Sequence, residues 1–221
     1  MGTKVTLNQD INPQEVKASS EKTILEHGGK VLSWLPILEQ GTPKAIDEVI
    51  QRALAINAMY QLHLGAPKFI IASWIDEHIT DLEAVSPYEQ EILDSEEPLS
   101  EEAHFYLYWS LESLWAIAWA TNLINELPFT EEVGDELADL SPALHLNEDG
   151  QKYLDKMSLR PYHELYQMLD LYYRVHWWLN DAAKANEPVV HIALGTIIQR
   201  RIALEWIMDA NVHWDAVDVS V

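Results

Sequence analysis

The chain has 221 residues, enough for one domain with a sizeable core, and it carries 14 Lys and Arg against 36 Asp and Glu. With no cysteine it can form no disulfide, thiolate metal site or cysteine nucleophile. A net charge of −22 repels phosphate backbones and so disfavours nucleic-acid binding.

Met1 to Glu15 is polar and lacks the apolar run of a secretory signal, so a polar tail is expected over 1–13 and a cytoplasmic setting with it. Strand signals are scarce and helix signals frequent. A helix is expected over about 14–27, stopped by Gly28-Gly29. Thr42-Pro43 reads as a cap followed by proline, opening a helix to Leu64, with Gly65 as its stop. Pro67 opens another to about Thr80, and Ser86-Pro87-Tyr88-Glu89 reads as a capping box. Ser100 caps a long helix expected to run to Asn125. Within it, Phe105 to Ile124 is long enough to span a bilayer and holds one charge, Glu112. Its Ser110, Ser113, Thr121 and Asn122, with acidic segments on both sides, favour a buried central helix instead. Short helical pieces are expected at 130–139 and 149–157, and long helices over Arg160–Ala185 and Val189–Asn211. The expected architecture is all-α: one bundle-like helical domain over 14–221, with three long helices and several shorter ones.

The acidity is uneven. Residues 69–151 contain 20 acids and no Lys or Arg, whereas the rest of the chain carries 16 acids against 14 bases. Such a segment serves either as a solvated face or as a surface for a basic partner.

Charges set inside apolar helices are the other signal. Glu112 shares a face with Phe105, Tyr108, Trp109, Trp115 and Trp119. A carboxylate buried there needs either an arginine from another helix or a raised pKa of the kind a general acid uses. His163, Gln167, Asp170, Arg174, Trp177 and Asp181 form one polar stripe, read either as a solvated face with an ion pair or as a groove wall. Arg200 shares an otherwise apolar stripe with Val189, Ala193, Ile197, Leu204 and Ile207, and Arg52 sits in a similar setting. The economical expectation is one network in which Arg52, Arg174 and Arg200 meet Glu112 and Asp170, since the planar guanidinium satisfies several acceptors at once.

No phosphate-binding glycine loop, nucleophile elbow or zinc motif is present, and no His pair falls at three- or four-residue spacing. Neither a cofactor nor a metal site is therefore expected from local motifs.

Several segments together resemble the bacterial domain of unknown function 4272 family. They are Glu48-Val49-Ile50-Gln51-Arg52-Ala53, Ser86-Pro87-Tyr88-Glu89, Trp109 with Glu112, and Leu114 to Ala120. The more specific pieces are Leu159-Arg160-Pro161 and Asp170-Leu171-Tyr172-Tyr173-Arg174-Val175-His176-Trp177, followed by Arg200, Ala203-Leu204, Trp206 and Trp214-Asp215. Gln199-Arg200-Arg201 stands where the family tends to have Glu-Arg-His, and Ser110 where an arginine tends to precede the glutamate. The resemblance runs from about residue 15 to 218 and implies a soluble all-helical domain, with no catalytic residue to transfer. It singles out Arg52, Glu112, Asp170, Arg174 and Arg200. With Arg160, His176, Trp177, Trp206 and Trp214 they make up a candidate binding or structural polar network.

The leading expectation is a non-enzymatic module that engages a basic protein, with neither nucleic acid nor membrane as partner. The alternative is a small-molecule or sugar-active hydrolase with Glu112 as acid, Asp170 as base, and Trp109, Trp115 and Trp177 as stacking walls. Self-association through exposed tryptophan is a third.

Overall fold

The computed structural model describes residues 11–187 and 189–221, and every regular element among them is helical. In chain order these are α1 (Pro13–Glu26), α2 (Ile46–His63), α3 (Lys68–His78), α4 (Pro87–Asp94), α5 (Glu101–Ala120), α6 (Glu136–Leu140), α7 (Gln151–Leu154), α8 (Tyr162–Lys184) and α9 (Leu194–Met208). Single 3-10 turns lie at Leu82–Ala84, Leu144–Leu146 and Trp214–Ala216. Residues 1–10 of the expected tail lie outside the described residues, while Asn12 and Pro13 open α1: the Asn12 side chain accepts from the Gln14 N–H.

Local chemistry sets most of the boundaries. Ser86 and Glu89 form the expected capping box on α4, and Ser100 accepts from the Ala103 N–H to start α5. Four helices end in the same device, a residue at positive φ followed by paired 5→2 and 6→1 hydrogen bonds. Gly28 and Gly65 play this part after α1 and α2, and Asn122 and Asn186 after α5 and α8. Asn122, at φ 59°, is why α5 stops at Ala120 rather than Asn125. The last helix begins at Leu194 and not at Val189, and the two weak pieces shrink to α6 and α7.

Thr42-Pro43 does not cap α2. The helix starts at Ile46 after Ala45, with no side-chain cap. Residues 41–45 are spent on the end of α9 instead. The Lys44 N–H donates to the Ile207 carbonyl and the Ala210 N–H to the Thr42 carbonyl, both at 2.8 Å. A carbonyl left over at a helix C-terminus thereby gains a donor. Gly41 passes so close to the Met208 carbonyl oxygen that a β-carbon would collide with it.

The helices pack in the order α1–α8–α9–α5–α2–α3. This places α5 between α2 and α9, and every residue from Glu112 to Ala120 is buried. An α5 with apolar residues all round is what a central position requires. No helix among the described residues is long and apolar enough to cross a membrane. The extended stretch between α1 and α2 crosses α8, which holds it by side chains: Arg174 donates to the Pro36 carbonyl, Tyr166 to Leu38 and Tyr162 to Gly41.

Candidate functional site

The buried charges do not form one network. They form separate pairs, and among the described residues no hydrogen bond joins one pair to the next. The first lies between α5 and α9. Arg200 Nε donates to Glu112 Oε2 at 2.8 Å, and Nη2 lies 2.7 Å from the same oxygen. Arg200 is fully buried and Glu112 is 4 % exposed. The remaining donors of Arg200 reach the Pro128 carbonyl, the Tyr172 hydroxyl and the Glu131 carbonyl. Glu112 Oε1 accepts the Val133 N–H at 3.0 Å. Together the two side chains tie down the backbone of 128–133 at three points. Burial pushes the Tyr172 hydroxyl up to about 12, partly opposed by Arg200, so it stays neutral and donates to the Leu127 carbonyl.

The second pair is Arg52 and Glu89, both fully buried and joined by two parallel hydrogen bonds. Burial works against the Arg52 charge, but Glu89 outweighs it and holds the guanidinium above its ordinary range. Glu89 also accepts from the Tyr106 hydroxyl and the Ser86 N–H, so one carboxylate serves as helix cap and counter-ion. The Arg52 guanidinium lies 4.1 Å from the centre of the Trp214 ring, Trp214 packs edge-on to Trp206, and Lys44 sits over Trp206 at 4.9 Å.

The third pair is Asp170 and Arg174 on α8, bridged by bonds of 2.8 and 2.9 Å. Their stripe is not a solvated face at this point. Asp170 is 1 % and Arg174 2 % exposed, because the chain around Pro36 crosses over them. Beyond them, Arg201 donates to Glu205 and lies 3.0 Å from His176 Nδ1. Burial and then the Arg201 charge lower the His176 pKa to about 4, so the ring is neutral and accepts that bond. Arg160 bridges to Glu164, to the Trp119, Ile124 and Asn125 carbonyls, and stacks on Trp119. Trp177 is half-buried, edge-on to Trp34.

Glu112 and Asp170 are thus each held by a different arginine, and neither lines the acidic cleft beside Trp115. That cleft, about 520 Å³ in volume, opens beside the tethered segment. Glu126, Glu131, Glu132 and Glu136 rim it, and Trp115, Leu123 and Leu140 give it apolar walls. All four glutamates are exposed. No Lys or Arg lines the cleft, and among the described residues none of the four carboxylates pairs with a cation. A neighbouring cavity of about 430 Å³, walled by Tyr60, Leu111, Leu137 and Leu144, shares Gly134 with it. Among the described residues no group of three or more His, Cys, Asp or Glu side chains is placed to hold a metal ion.

Two contributors escape a reading by sequence. Glu89 is legible as a helix cap, but nothing in the one-dimensional pattern couples it to Arg52, 37 residues away. Tyr172 reads as one more apolar-face residue, though its hydroxyl completes the donor set around Arg200.

No curated protein and no solved structure matches the chain. The model of the family described as Domain of unknown function (DUF4272) matches residues 16–217 of the 221. The chain, with its all-helical fold and paired interior charges, belongs to the DUF4272 family.

Proposed function

We propose that this protein is a non-enzymatic binding module whose acidic cleft receives a lysine- or arginine-bearing segment of a partner protein. The observation that carries the reading is the cleft itself, four exposed glutamates that pair with no cation among the described residues, around apolar and tryptophan walls. This is the chemistry a long cationic side chain needs. Its charged head meets carboxylates, and its methylene stem lies on Leu123 and Leu140. Arg200 and Glu112 hold the 128–133 part of the wall in place before any partner arrives, and a preformed site loses less freedom on binding. The acidic field of 69–151 adds long-range steering of a basic partner. A cytoplasmic, bacterial setting goes with this reading.

The test uses a fluorescein-labelled oligo-arginine peptide and fluorescence polarisation. Binding is expected at low salt and should weaken severalfold as added salt shortens the screening length. Replacing Glu126, Glu131 and Glu132 together by Gln should abolish it. The same change at Glu91, Glu96 and Glu101, exposed acids away from the cleft, should have little effect. Equal losses in the two triple variants would leave only a diffuse acidic surface and overturn the cleft assignment.

A further inference from the structure

We propose that His63 and His104 form a two-histidine site for a divalent transition-metal ion of the zinc or copper class. The two residues are 41 positions apart and come from different helices, so no local spacing motif announces them. His63 is the last residue of α2, and His104 lies in the first turns of α5. The packing of α2 on α5 brings their Nδ1 atoms to 3.4 Å. That separation has a specific meaning. Two imidazole nitrogens bound to one tetrahedral ion, each at about 2.0–2.1 Å, stand about 3.3–3.4 Å apart. The separation of the two nitrogens is therefore already the one that an ion held by both rings requires.

The surroundings hold the His63 ring, and the end of α2 favours a cation. Tyr60 stacks on His63 at 5.7 Å with an interplanar angle of 24°, and the Tyr108 ring lies tilted against His63 at 5.6 Å. The two imidazoles meet edge to face, with centroids 5.4 Å apart. A ring held by its neighbours loses little freedom on coordination. His63 stands where the carbonyl dipoles of α2 converge, the negative end of the helix. Glu101 and Glu102 in the first turn of α5 are exposed, and no Lys or Arg occurs from 69 to 151. His104 faces solvent, so water completes the coordination sphere. The site is distinct from the acidic cleft and does not depend on it.

The probe is zinc. The full chain, stripped of metal with a chelator, is titrated with Zn²⁺ at neutral pH by calorimetry, while the histidine ring C–H resonances are followed by NMR. One saturable site is expected, with the His63 and His104 resonances moving together. His63→Asn and His104→Asn should each weaken binding by about tenfold or more, a loss of about 1.4 kcal/mol or more. His213→Asn, an exposed histidine near Glu83, should bind as the parent does. The NMR readout on the unsubstituted chain keeps the result independent of how the variants fold. Zinc binding that survives both substitutions, shifts confined to other histidines, or no saturable binding up to millimolar zinc would each overturn the proposal.

Discussion

Replacing Arg200 by Met would strip the interior of one charge and strand the other. Glu112, 4 % exposed, loses the guanidinium that touches it at 2.7 and 2.8 Å. The Pro128 and Glu131 carbonyls and the Tyr172 hydroxyl lose their donors as well. Breaking a buried pair from one side costs about 3–5 kcal/mol, mostly because the remaining charge stays desolvated. With a urea slope of about 3 kcal/mol per molar for a chain this long, a loss of about 4 kcal/mol lowers the unfolding midpoint by about 1.3 M. Urea unfolding followed by circular dichroism reads it directly. The double variant Arg200→Met with Glu112→Leu removes both charges and should cost less than Arg200→Met alone. Hydrogen exchange supplies a local readout: the Val133 amide, which donates to Glu112, should lose protection in the Glu112→Leu chain. A cost below about 1 kcal/mol for Arg200→Met, or strict additivity in the double variant, would refute the buried-pair reasoning.

Arg52→Met should cost a similar amount, about 3–5 kcal/mol, and lower the urea midpoint accordingly, because Glu89 is then buried with the Tyr106 hydroxyl and the Ser86 N–H as its remaining partners among the described residues. His176 has its pKa lowered from 6.5 to about 4, so the unfolded chain binds the extra proton between those values. Stability should therefore fall as the pH drops from about 6.5 to about 4, by ~2–3 kcal/mol from this group. His176→Asn, which keeps an acceptor for Arg201 but cannot titrate, should remove that share of the slope in unfolding curves measured at successive pH values. Asn186 sits at φ 60°, so Asn186→Ala should cost about 1 kcal/mol in thermal unfolding while Asn186→Gly should be neutral or better.

The partners of the buried charges show where a linear reading stops. Asp170 and Arg174 are one helical turn apart, so their pairing is legible from spacing alone. Their burial is not, because it depends on a stretch around Pro36 that has no periodicity of its own. Arg200 and Glu112 each announce an unmet need inside an apolar helix, and the expectation of a guanidinium beside Glu112 holds. Arg52 announces the same need but meets Glu89, which the sequence displays only in its local role as a cap. Thr42-Pro43 fails differently: a valid cap signal is overruled because the backbone there completes the end of α9.

Helix identity, the capping box on α4 and the glycine stops after α1 and α2 follow from the sequence by itself, since each depends on residues within about one turn of one another. So does the acid-rich span of 69–151, which is a matter of counting. Which arginine neutralises which carboxylate, which four glutamates come together around Trp115, and that His63 faces His104 are decided only by tertiary structure. The physical reason is that periodicity names the face of a helix that must be buried but not the neighbour that buries it. That choice belongs to the packing of α5 between α2 and α9, where chain segments far apart in sequence become touching surfaces.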